Sequence, residues 1–200
     1  FAEHFSAWQT LFLFAKHFSV WQTIFLFAKV FFVCQKLSLF AKDIFVWQTP
    51  KWKSLETTQN GLFYPAMALD SNLNIVYSEF TDTAVPTYQI RRISNFLGGP
   101  APTKASLSNA LLTSYPTALK VSPFTTTSTK LFVGTMNSKL LRLTTANATA
   151  GWTDISGPGF IGSISDIEFG TNENQIFVTF HNYGVTNIWY TPNGGTNWYS

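Results

Sequence analysis

Two periodicities divide this chain near Pro50. Residues 1–49 are near-copies of one unit: FAEHFSAWQTLFL, FAKHFSVWQTIFL, FAKVFFVCQKLSL and FAKDIFVWQT, with a period of 13. Within a unit the apolar residues fall at helical spacing, as in Phe1, Phe5, Trp8 and Phe12. From one unit to the next, 13 residues at about 100° each carry that stripe roughly 220° around the helix, nearly to the opposite side. An odd period also inverts the faces of a strand at each repeat. The segment has no Gly or Pro before Pro50, so it is expected to be helical or disordered. Two accounts of it compete. One is an interfacial or self-associating amphipathic helix. The other is a tandem DNA repeat translated through and joined to the rest by accident.

After Pro50 the pattern is one of short β-rich runs between turn clusters: LFYPAMALD, NIVYSEF, YQIRRIS, TALKVSPF, KLFVGTM, KLLRLT, ISDIEFG, QIFVTF and NIWYTP. Regular short strands with turn signals predict an all-β fold. Three segments share one plan of strand, polar turn and strand: AMALDSNLNIVYSEF, ALKVSPFTTTSTKLFVGTM and ISDIEFGTNENQIFVTF. They begin at Ala66, Ala118 and Ile164, 52 and 46 residues apart, which is the size of a propeller blade. The expected organisation is therefore a repeat segment over 1–50 and, over 51–200, an incomplete β-propeller of about three blades, fewer than the four to eight that close a ring.

Charge narrows the functions. Residues 51–200 hold nine Lys/Arg against eight Asp/Glu, with Arg91-Arg92 the one adjacent basic pair, so no nucleic-acid footprint is expected. Lys16, Lys29, Lys36 and Lys42 interrupt every apolar run before a membrane span accumulates. A single cysteine, Cys34, and three scattered histidines offer neither a disulfide nor a zinc spacing, and no metal or cofactor is expected. The chain opens on Phe and shows no secretory leader, so it reads as a piece of a longer protein.

The stretch Thr191-Pro192-Asn193-Gly194-Gly195-Thr196-Asn197-Trp198 is a turn in its chemistry. Asn193-Gly194 is a hairpin signal, Gly195 tolerates positive φ, and Asn193 is suited to accept backbone N–H groups. Trp198 is expected to anchor the hairpin by its ring. A second copy over residues 145–152 keeps Thr145, Asn147 and Trp152 and lacks the fifth-position Gly; it lies 46 residues earlier. These octapeptides resemble the Asp-box of sialidase-like and sortilin-like (BNR) β-propellers, with Asn where that family prefers Asp. Residues 57–200 as a whole resemble the propellers of large bacterial proteins secreted through the type IX system. NGLFYPAMALDSNLNIVYSEF, YPTALKVSPF, KLFVGT, LLRLT and SDIEFGTNENQIFVTFHNYGVTNIWYTPNGGTNW carry that likeness. The resemblance implies a secreted or cell-surface protein whose remaining blades complete the ring, with the boxes as structural turns on the blade periphery.

Catalytic sets are thin. A sialidase needs an arginine triad on a carboxylate, but the chain has three arginines, Arg91, Arg92 and Arg142, and the first two alternate across a strand. A glycoside hydrolase of the xyloglucanase type needs two carboxylates across a cleft. Asp166 and Glu168 share one strand face and read as a solvent-facing pair, Asp70 reads as a turn residue, and His181 as a loop residue. The reading is a non-catalytic extracellular scaffold or recognition module for protein or glycan. The alternative is a fragment of a glycoside hydrolase with most of its catalytic residues elsewhere.

Overall fold

The computed structural model describes Leu55 and residues 60–200, apart from 83, 85, 86, 98–100 and 149. The chain divides between Lys53 and Ser54, and the described residues lie in the second unit. The helical expectation for residues 1–49 falls outside them. Among the described residues there is no helix, only eleven strands in three antiparallel sheets.

The first sheet is formed by β1 (Met67–Asp70), β2 (Ile75–Glu79), β3 (Ile90–Ser94) and β4 (Thr103–Leu107). The second has β5 (Pro116–Val121), β6 (Leu131–Thr135), β7 (Leu140–Thr144) and β8 (Gly151–Asp154). The third has β9 (Ile164–Phe169), β10 (Ile176–Phe180) and β11 (Ile188–Thr191). Each is a meander in which every strand pairs with its predecessor. Beyond β11, Tyr199 makes an antiparallel bridge to Tyr190 on the side where a fourth strand lies in the other two sheets.

Local chemistry explains the turns. At Asp70-Ser71-Asn72-Leu73-Asn74 the Asp70 carboxylate accepts the N–H groups of Asn72 and Leu73, and Asn74 takes φ 56°. The matching turn in the third sheet, Gly170-Thr171-Asn172-Glu173-Asn174, uses Asn172 and Gln175 side chains as acceptors instead.

The sheets stack in chain order, with the first strands β1, β5 and β9 side by side. One apolar core lies between the first and second sheets, from Ala68, Ile75, Tyr77 and Ile90 on one side and Leu119, Leu131, Val133, Leu141 and Leu143 on the other. A second lies between the second and third sheets, where Ala118, Phe132 and Leu140 meet Ile164, Ile167, Ile176, Val178 and Phe180. Alternation along β6 feeds both: Leu131 and Val133 point one way and Phe132 the other, and all five of its residues are buried. In β9 a bulge at Ser165 puts Ile164 and Ile167 on the same face.

The strand register makes the sheets superimposable position by position. Tyr77 is paired with Ala68 and Arg92, Phe132 with Lys120 and Arg142, and Phe177 with Glu168 and Tyr190. Tyr77 faces the second sheet and Phe132 the third, so both junctions bring the same two faces together. This matched spacing places Asp166, not Ile164, at the position of Ala66 and Ala118.

The second junction is tightest at Gly134. A Cβ there would sit 2.3 Å from Ile164 Cγ2 and 2.8 Å from its Cβ. Gly134→Ala is therefore expected to cost about 1–3 kcal/mol through overpacking, measured by urea unfolding of the full chain. A neutral result would mean that β6 and β9 are farther apart than described.

Candidate functional site

The turn after β11 is built on Thr191, which is fully buried. Its hydroxyl oxygen accepts the N–H groups of Asn193 (3.3 Å) and Gly195 (3.0 Å) and lies 3.0 Å from Asn193 Oδ1. Asn193 Oδ1 in turn accepts the N–H of Asn197 at 2.9 Å. The threonine hydroxyl thus takes two of the turn's N–H groups and the asparagine one, whereas the residue types alone pointed to Asn193 as the main acceptor. Gly194 and Gly195 have φ of 68° and 95°. A Cβ on Gly195 would stand 2.7 Å from Ile155 Cβ and 3.0 Å from Ile155 O. Glycine is required there twice over, for the backbone angle and for the close approach.

Trp198 reaches across to the preceding sheet. Its indole N–H donates to Ile155 O at 3.0 Å, and its ring meets Phe160 edge-on at 4.8 Å. The hairpin is thereby tied to the end of the second sheet as well as to its own.

Residues 145–152 are arranged differently. Thr145 has φ 51° and donates to Thr144 O at 2.7 Å. Since Arg142 and Tyr190 occupy matching positions, Thr191 matches Leu143, and Thr145 lies two places further on. Asn147 Oδ1 accepts the N–H of Thr129 at 2.9 Å, outside its own turn. Trp152 does match Trp198: it pairs with Leu143 on β7 and packs against the core between the first two sheets.

The polar contacts that sequence reasoning missed are those at the junctions, because they join residues 43 to 59 apart. At the end of β1, Asp70 Oδ2 accepts the Thr129 hydroxyl at 2.5 Å. At the end of β5, the Ser122 hydroxyl donates to Glu173 Oε1 at 2.5 Å. Each joins the end of a first strand to the first turn of the following sheet. Arg92 Nη1 donates to the carbonyls of Ala146 (2.9 Å) and Ala148 (3.0 Å) in the second sheet's third turn. Arg142 Nη1 lies against Gly194 in the equivalent turn of the third.

These contacts shift two acids. Burial pushes the Tyr77 phenol up to about 12, against the smaller opposing effects of Thr129 and Arg92. Burial alone would raise the Glu173 carboxyl, but hydrogen bonds from Lys130, Ser122 and Thr125, together with the Lys130 charge, outweigh it and hold the group below its ordinary value.

The remaining candidates are dispersed. Arg91 and Arg92 pair with Ser78 and Tyr77 and so point to opposite faces. Arg91 lies 3.7 Å over the Phe80 ring. Asp166 and Glu168 are exposed on one face of the third sheet with buried Ile167 between them, and Glu168 is paired with Lys120. Glu79 is buried and accepts the N–H groups of Leu62 (2.6 Å) and Thr81 (2.7 Å). His181 is an exposed loop residue. Among the described residues no group of His, Cys, Asp and Glu has metal-site geometry, and no helix is long and apolar enough to cross a membrane. Comparison with protein-family models, with curated proteins and with solved structures gives no match for this chain.

Two outcomes test the site. Trp198→Ala is expected to cost about 3 kcal/mol. Trp198→Phe keeps an aromatic ring but loses the bond to Ile155 O, for about 1 kcal/mol. Equal losses in chemical denaturation would assign no role to the indole N–H. The folded Glu173 carboxyl has a lowered pKa, so its contribution is complete above the unfolded value of about 4.5 and decays as pH falls through the folded one. Glu173→Gln should therefore lower stability at pH 7 and narrow the gap to wild type as pH is lowered below 4.5. A gap constant with pH would remove the charge from the account.

Proposed function

We propose that residues 57–200 are part of an incomplete Asp-box β-propeller that acts as a non-catalytic extracellular scaffold or recognition module. The observation that carries this reading is the repeated junction. The first and second sheets, and then the second and third, meet through matching faces and matching polar contacts. A sandwich or a pair of unrelated sheets gives no reason for that recurrence, whereas blades succeeding one another around an axis do. Trp152 and Trp198, at matching positions and each directed at the preceding sheet, support the box reading. The extracellular bacterial setting, the type IX route and the remaining blades rest on the sequence resemblance.

The non-catalytic reading rests on where the charged groups are spent. Asp70 and Glu79 hold backbone N–H groups, Glu173 and Arg92 hold junctions, and Arg91 faces away from Arg92. Asp166 and Glu168 are the acids that face solvent together, on a flat sheet face.

The full chain incubated with sialosides and with β-glucans is expected to give no turnover. Hydrolysis that disappears in Asp166→Asn would overturn the reading and make a glycoside hydrolase fragment the better one.

A further inference from the structure

Each sheet has a leading face, which meets the next sheet, and a trailing face, which meets the one before. Positions on the two outermost faces can be compared with buried counterparts. On the leading face of the third sheet, Phe177 matches Tyr77 and Phe132, and Ile188 matches Ile90 and Leu140 by strand pairing. The four counterparts are 0–1% exposed, while Phe177 is 41% and Ile188 61% exposed. On the trailing face of the first sheet, Met67 matches Leu119 and Ile167, and Leu69 matches Val121 and Phe169. Leu119 and Ile167 are buried, while Met67 is 68% and Leu69 55% exposed. Farther from the first strand, Phe80 and Ile93 are already buried. The exposed pair therefore lies on β1, and first strands are where the two existing junctions approach most closely.

The two outer faces fit each other. One is apolar and acidic, with Phe177 stacked on Tyr190 at 4.7 Å and Asp166 and Glu168 beside them. The other is apolar and basic, with Arg91 over Phe80 and Lys104 paired to Ile93 on the same side. We propose that a second copy of this chain docks head to tail, the trailing face of its first sheet on the leading face of the third sheet here. Two copies joined at both ends form a ring of six sheets, within the roughly four to eight that close a propeller. A heterologous contact of this kind closes when the rotation per sheet permits and otherwise runs on as a filament. Opposite charge on the two faces sets the register.

This inference rests on the propeller reading of the sheet order, but its test needs no ligand or substrate. Failure here and failure of the turnover test are thus separate results. Sedimentation of the full chain is expected to give twice the chain mass. Phe177→Glu spoils one face and Met67→Lys the other, and each variant alone is expected to be a monomer. An equimolar mixture retains one intact junction and is expected to recover the dimer. Ile188→Glu and Leu69→Lys repeat the design at neighbouring positions should either first variant lose its β-sheet circular dichroism. A monomeric wild type, a dimer that survives either variant alone, a mixture that stays monomeric, or a filament in place of the pair would each overturn the proposal.

Discussion

The second sheet has no solvent side. β6 is buried on both faces, and everything else in the described residues is arranged around that fact. A strand covered on both sides must alternate between two cores rather than between core and water, which is why Leu131-Phe132-Val133 is apolar without a break. It must also leave room. The absent side chain at Gly134 is the space into which Ile164 of the following sheet fits. Had β6 been amphipathic, the third sheet would have had nothing to pack on, and Arg142 and Glu173 no junction to serve.

Much of this was legible in the residues. The strand-turn-strand repeat follows from alternation and turn chemistry, which are local, and the three meanders appear where those phrases stand. Positive φ in the glycines of the late turn follows from Asn193-Gly194-Gly195, again within a few bonds. The register was less accessible. A bulge at Ser165 adds one residue that no composition rule reveals, so Ile164 looked like the start of a unit whose matching position is Asp166. Thr145 and Thr191 align as letters, yet the longer connection between β7 and β8 moves Thr145 off the strand. The junction contacts were not legible at all. Nothing in Ser122 or Thr125 announces a partner at Glu173, because the pairing exists only once two sheets are stacked.

The stacking also decides what the ionisable groups can do. A carboxylate that closes a seam between sheets is held by donors on several sides, as Glu173 is, and has no lone pair left to direct at a substrate. Tyr77 is sealed where the first two sheets meet, with its proton held more tightly than an exposed phenol holds it. Such groups fix the angle between one sheet and the next. They act as spacers, and the surface left for recognition lies in loops and strand faces beyond the seams.

Because each meander pairs only with itself and touches only its chain neighbours, cohesion here is nearest-neighbour in kind. Few contacts wait for distant parts of the chain. A sheet emerging during synthesis finds its docking face already folded, and contacts of short sequence separation make that step fast. The same arrangement grades the molecule from the middle outward. Opening the first or third sheet breaks one seam, while opening the second breaks both, so amides of β6 are the last to meet solvent and those of β4 and β11 are among the first.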